Sequence, residues 1–299
     1  MHDEHTFYAE AFSRNIGLLT EAEQALLRHS TVAIAGLGGV GGIFALSFAR
    51  LGVGRFNLSD PDTFATVNIN RQAGAMVSTV DKPKAEVVAN MIKDINPHAV
   101  IQTFSGEGGP EELDQFLNGA TVVIDAIDFF CIAARRTLYA CAREHGLVVM
   151  SAGPVGFGSA MQVFNPHGMS FDEYFDLHDD MSEDEMILHF GIGVTPTLLQ
   201  RAYFRPDRIS LSARAAPSVV SGTLLAANLI TCEAAKLILG RDTVRFIPHS
   251  SHFDPYVRKY KTVHLRRGNR GLLQRLKIWY VKRMLANREK VQATSEQVA

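Results

Sequence analysis

Thr31-Val-Ala-Ile-Ala-Gly36-Leu-Gly38-Gly39-Val-Gly41-Gly42 is a short β-favouring apolar run that breaks into glycines and passes straight into the apolar stretch 43–51. Strand, glycine loop and helix start, in that order, are the context that the spacing Gly36-x-Gly38-x-x-Gly41 needs to bind phosphate. Where side chains are absent, backbone N–H groups and the helix N-terminus can approach phosphate oxygens. About twenty residues on, Asp60 ends the next apolar run, where a carboxylate can accept hydrogen bonds from ribose hydroxyls. The bland alternative, glycine kept only for tight strand–helix packing, leaves Asp60 without a purpose.

Outward from this stretch, elements alternate. Strands are expected at 31–35, 55–59, 99–104, 121–125 and 147–150, and helices at 40–51, 83–94, 110–118 and 131–144. Thr20-Glu-Ala-Glu23 fits a capping box that opens a helix through Arg28. This alternation with short joins predicts an α/β, Rossmann-like, doubly wound and mostly parallel sheet covered on both faces. After Ala152 the pattern changes. Gly153–Ser159 reads as a turn-rich junction, 161–164 as a strand, and 165–217 as an irregular crossover with a helix near 182–190. A long apolar helix at 218–239 ends at Gly240, a good residue to follow a helix. Short strands are expected at 244–248 and 260–265, and a basic amphipathic helix at 271–290 forms a C-terminal appendage. The chain thus divides into 1–30, a nucleotide-binding domain over 31–257 and an extension over 258–299.

Bulk properties exclude several classes. A chain of 299 residues that is 46% apolar can bury a full core. Its opening Met-His-Asp-Glu-His lacks the layout of a signal peptide, and no uncharged apolar run is long enough for a membrane span. Cys131, Cys141 and Cys232 make no CxxC pair, so neither a disulfide framework nor a zinc site is expected, and a cytoplasmic protein is the reading. Cys232, inside an apolar helix, is expected to be buried. His249 and His252 fall in an expected loop without the further ligands a metal would need. The net charge of −1 hides an asymmetry: residues 258–299 carry +10, which leaves −11 for the rest.

The polar series downstream of the glycines decides which nucleotide. A dehydrogenase needs a hydride path and no cations gathered at the phosphates. Here Asn68-Ile-Asn-Arg71-Gln72 follows the second strand and Lys82-Pro-Lys84 opens a helix, so Arg71 and Lys84 can neutralise charge that develops at phosphorus. Asp125-Ala-Ile-Asp128 ends the fourth strand at the sheet's carboxyl edge, where open α/β folds bind ligands, and Asp128 is a natural magnesium ligand beside a triphosphate.

These elements together resemble the ThiF/MoeB family of ubiquitin-activating-type adenylyltransferases, from about Phe12 to Gly240. The resemblance rests on Arg14, Gly36-Leu-Gly-Gly-Val-Gly-Gly42, Asp60-Pro-Asp62, Asn68-Ile-Asn-Arg-Gln72, Lys82-Pro-Lys84, Asn96-Pro97 and Asp125-Ala-Ile-Asp128. It implies ATP and Mg2+ as cofactors and adenylation of a carboxylate at the C-terminus of a small ubiquitin-like or sulfur-carrier protein or peptide. Gly36, Gly38, Gly39 and Gly41 would cradle the nucleotide with Gln72. Asp60 would hold its ribose, Asn68, Arg71 and Lys84 its phosphates, and Asp128 the magnesium. Arg14 would reach the nucleotide of a partner subunit, which implies a homodimer. No general base is needed, because a carboxylate is already ionised at neutral pH.

The chain departs from many relatives in lacking paired CxxC motifs and a cysteine in 212–217, so adenylation is better supported than thioester formation. The runs 68–72 and 125–128 also resemble the branch that cyclises threonylcarbamoyladenosine in tRNA, and there the basic tail could grip RNA. A nucleotide-binding scaffold without turnover and an NAD-dependent relative complete the alternatives.

Overall fold

A computed structural model of the chain describes residues 3–205, 208 and 213–296, with side chains to residue 284. The decisive stretch forms strand β1 (Thr31–Ala35), and Gly36–Val40 then lead into α3 (Gly41–Leu51). Before them lie α1 (Glu4–Ala11) and α2 (Glu21–His29). The Thr20–Glu23 capping box is formed as expected. Helix α1 was not expected; its apolar residues are too sparse to show a face, and it starts because the Asp3 side chain accepts from the amides of His5 and Thr6.

After α3 come β2 (Arg55–Ser59), α4 (Lys84–Ile95), β3 (Val100–Phe104), α5 (Gly109–Leu117), β4 (Val122–Asp125), α6 (Ile132–Glu144), β5 (Val149–Val155) and β6 (Gly158–Phe164). The crossover carries α7 (Phe171–Phe175) and α8 (Glu183–Val194). Then follow α9 (Val220–Ile238), β7 (His249–Asp254), β8 (Lys259–His264) and α10 (Leu272–Glu296). All eight strands form one sheet of order β3-β2-β1-β4-β5-β6-β7-β8. Pairings from β3 through β5 are parallel, and those from β5 to β8 are antiparallel.

Strand β1 is buried on both faces, as a central parallel strand must be. Val32 and Ile34 face one core with Phe44, Phe48, Val88 and Ile230; Ala33 and Ala35 face the other with Phe116, Leu138, Phe175 and Phe190. Strands β2 and β3 are laid down on one side of β1 and β4 and β5 on the other, so the strand order reverses between the parallel neighbours β1 and β4, and their carboxyl ends flank the crevice where such folds bind ligands.

Three expectations are corrected. Gly153–Ser159 is not a junction but the body of a hairpin, with β5 and β6 paired from Val149–Phe164 to Val155–Gly158. The strand expected at 244–248 lies at His249–Asp254, because Pro248 has no amide to donate and the ladder starts beyond it. His249 and His252 are therefore strand residues; His252 is fully buried, with Nδ1 2.7 Å from Thr197 Oγ1. Cys232 is exposed rather than buried: α9 packs through Thr223, Ala226, Ala227, Ile230 and Ala234, and Cys232 lies off that stripe. The helix expected near 182–190 is α8, opened by a Ser182–Glu185 capping box. Strand β8 completes the sheet before α10 leaves it and packs on α8.

Candidate functional site

The glycine loop is shaped by two close approaches. Gly36 has φ +89°, and a Cβ there would strike the carbonyl of Ala126 at the end of β4; one on Gly41 would strike the carbonyl of Gly36. These two glycines draw β1, β4 and the start of α3 together. Gly38 and Gly39 do something else. A Cβ on Gly39 meets nothing within 4 Å, and one on Gly38 meets only the Gln72 side chain, at 3.4 Å. The loop therefore faces open space at the N-terminus of α3, where amides can receive an anion.

Asp60 lies at the end of β2, beside this loop. Its Oδ2 accepts from the Leu37 amide at 2.5 Å and its Oδ1 from the Asp62 amide at 2.9 Å. Burial pushes its carboxyl above the usual range, while the Leu37 amide and Lys84 pull it back. Lys84, the first residue of α4, is itself buried and places Nζ 2.7 Å from Asp62 Oδ2 and 3.7 Å from Asp60 Oδ1. Asp62 is largely exposed, so it is the partner that Lys84 can release to an incoming anion.

The segment between β2 and α4 supplies the remaining polar groups. Asn68 Oδ1 caps its own turn by accepting from the Ala65 amide. Arg71, half-buried, donates through Nη1 to Val67 O at 3.1 Å and Asn70 Oδ1 at 2.8 Å. Asn70 in turn donates to Ser218 O at 3.1 Å, which ties the Arg71 turn to the approach of α9. Gln72 is buried against Gly38, and its Oε1 has no hydrogen-bond partner among the described residues. An unpaired buried acceptor beside an open glycine loop is a position suited to a donor that the described residues do not provide.

Asp128 lies beyond β4, exposed, with Oδ1 accepting from the Phe130 amide at 3.0 Å. Its backbone is fastened by Arg135, a residue the sequence reading did not single out. Arg135, buried in the first turn of α6, donates Nε to Asp125 Oδ2 at 2.9 Å, Nη1 to Asp128 O at 2.7 Å and Nη2 to Ile127 O. The Phe190 ring of α8 lies 4.6 Å from the guanidinium carbon. One arginine thus connects the end of β4, the Asp128 turn and the crossover helix. Its signal in sequence is a cation in the opening turn of the helix that directly follows Asp125-Ala-Ile-Asp128.

Cys131 caps α6. The residue is exposed, yet partial burial of its thiol, and then the Asp128 charge, raise that thiol above the usual range. The charges of Arg135, Arg214 and Asp62 also act on this thiol. Arg14 lies elsewhere. It is exposed on the turn Ser13–Asn15, and its neighbour Asn15 donates to Leu51 O at the far end of α3. That helix is roughly 16 Å long, so Arg14 sits away from the glycine loop of its own chain. Among the described residues, no three His, Cys, Asp or Glu side chains converge as a metal cluster, and no helix is long and apolar enough to cross a membrane.

The ThiF family model matches residues 12–272. Over 121 residues the chain is 40% identical to the tRNA threonylcarbamoyladenosine dehydratase of Bacillus subtilis, covering 40% of this chain and 48% of that protein. Over 158 residues it is 31% identical to the sulfur carrier protein ThiS adenylyltransferase of Escherichia coli, covering 52% and 62%. The chain spans about half the length of the curated relatives it matches. Among solved structures, E. coli MccB with ATP superposes with a TM-score of 0.62 over 85% of this chain and 70% of that one, at 17% identity, a likeness of fold.

Proposed function

The chain belongs to the ThiF family, and on that premise we propose that it is an ATP-dependent adenylyltransferase that activates the C-terminal carboxylate of a small carrier protein or peptide. A carboxylate oxygen attacks the α-phosphorus of ATP, an acyl–O–P bond forms, the bond to pyrophosphate breaks, and no proton has to move. The obstacles are repulsion between anions and the loose geometry of a flexible tail.

The chain's own residues address both. Amides of the Gly38–Gly39 loop and the α3 N-terminus receive phosphate oxygens, and Gln72 Oε1 accepts from a donor on the nucleotide. Asp60 has acceptor capacity beyond its two amide bonds and takes the ribose hydroxyls. Lys84 leaves Asp62 for the phosphates, where it acts with Arg71, and Asn68 offers its amide. Asp128, with one oxygen not engaged by a protein donor among the described residues, fits a magnesium ligand, since this ion takes one or two carboxylates plus phosphates and water. When bound, the ion neutralises charge on the departing pyrophosphate. Arg14 serves the nucleotide of a second copy, because its own glycine loop lies at the other end of α3, and this makes the working unit a homodimer. The crossover over α7 and α8 lies across the carboxylate tail.

The observation that carries this reading is the convergence of Lys84, Asp60, Gln72 and the two open glycines on one crevice. Its similarity to the ThiS adenylyltransferase supports a carrier-type substrate. ATP–pyrophosphate exchange in the presence of a carboxylate-tailed carrier encoded beside this chain tests it. Exchange that requires the carrier and is lost in Lys84→Ala supports the proposal; exchange absent with every such partner counts against it. A second reading, activation of the carboxylate on a modified tRNA nucleoside, is favoured by the likeness to the B. subtilis dehydratase, and the RNA contact expected of the basic tail belongs to it. ATP consumption driven by tRNA and not by protein carriers would select that reading.

A further inference from the structure

Among the described side chains, helix α10 meets the body through one face. Gln274 and Ile278 point inward, and Gln274 Nε2 donates to Ile192 O at 3.3 Å and to Asn269 Oδ1 at 3.2 Å. Lys277 Nζ donates to Pro196 O at 2.6 Å, and Lys282 pairs with Glu185 at 2.6 Å. The opposite face carries Leu272, Leu273, Leu276, Trp279 and Tyr280, each between 53% and 73% exposed. At helical spacing these five fall in an arc of about 120°, with Arg283 within it. The Arg283 guanidinium carbon lies 5.6 Å from the Trp279 ring. Exposed Arg275 borders the stripe, exposed Arg266 and Arg267 precede the helix, and none of the three forms an ion pair among the described residues.

Candidate occupants of this face differ in what they satisfy. A second copy would cover the apolar side chains but bring one +10 segment against another. RNA would satisfy the arginines and leave three leucines in water. An anionic bilayer meets both demands: leucines enter the acyl boundary, Trp and Tyr sit at the headgroup level, and arginines reach lipid phosphates. We infer that α10 is an in-plane anchor that docks this protein on anionic lipid surfaces. Because α10 rests on α8, docking holds the crossover side of the molecule toward the bilayer. The inference stands independently of which carboxylate the crevice activates.

Trp279 is the sole tryptophan, so its emission reports on this face directly. The full-length protein is titrated with vesicles of phosphatidylcholine alone and with vesicles containing about one-third phosphatidylglycerol. The expected result is a blue shift and co-sedimentation with the anionic vesicles, with partition at least about tenfold stronger than to neutral ones and weakened by ~0.5 M salt. Leu273→Glu combined with Leu276→Glu, both on the exposed face and so without packing to lose, should lower partition at least about tenfold while helical circular dichroism is unchanged. Absence of binding to anionic vesicles would overturn the inference. So would binding that the double variant retains in full, a Trp279 shift with tRNA but not with vesicles, or a dimer without lipid that the same double variant dissociates.

Discussion

Replacing Arg135 with methionine removes the charged partner of a carboxylate that has no solvent exposure. The guanidinium supplies donors to Asp125 Oδ2 at 2.9 Å, Asp128 O at 2.7 Å and Ile127 O, and methionine keeps the volume but none of these donors. Asp125 would keep two others, the Tyr139 hydroxyl at 3.1 Å and the Ile127 amide at 3.1 Å. Removing one partner of a buried ion pair costs about 3–5 kcal/mol, and the two remaining donors place this case near the low end. Two carbonyls that lose a donor add about 1 kcal/mol each. The expected loss is therefore about 5 kcal/mol, read as a lower urea midpoint for the full chain near pH 7. Asp125→Asn added to Arg135→Met should recover much of it, because no buried charge is then left unpaired. A loss under about 1 kcal/mol, or a double variant no better than the single one, would refute the reasoning.

Two glycines in the same loop should respond oppositely. Gly39→Ala should fold as the parent does and lose nucleotide binding, since its methyl points into open space; Gly41→Ala should lose about 2–3 kcal/mol of stability because its methyl meets the Gly36 carbonyl. Thermal melting with and without ATP separates the two effects. Burial pushes His252 down to about 4, whereas the unfolded chain takes up the same proton near 6.5. Unfolding therefore absorbs a proton between those values, and stability should fall as pH drops across that window, by at most about 3 kcal/mol. His252→Gln should flatten that part of the stability–pH curve, as measured by urea titrations at stepped pH. Lys84→Ala should weaken ATP binding at least about tenfold by calorimetry, as a charge-assisted phosphate contact requires.

The central sheet was legible because its strands announce themselves: Val32–Ala35 is a continuous apolar run, and Gly36 and Gly41 stand where β1, β4 and α3 must touch. The polar series was legible because Asp60, Lys84 and Asp128 fall at element ends, where composition changes. What was not legible depends on contacts distant in sequence. The β5–β6 hairpin hid because Gly153, Pro154 and Gly156 read as breakers although only Gly156 turns the chain. Strand β7 hid behind Pro248, and its polar His249-Ser-Ser-His252 run gave no apolar alternation. Arg135 looked like one cation among several in α6; only its distance to Asp125 and to the Phe190 ring shows what it fastens.

One crevice must receive the phosphates of ATP, and a crystal of the full chain grown with ATP and magnesium tests this most directly. Phosphate oxygens over Gly38 and Gly39, with Lys84 Nζ moved from Asp62 onto them, is the predicted result. A nucleotide bound elsewhere, or Lys84 still 2.7 Å from Asp62 with no phosphate beside the glycines, would contradict it.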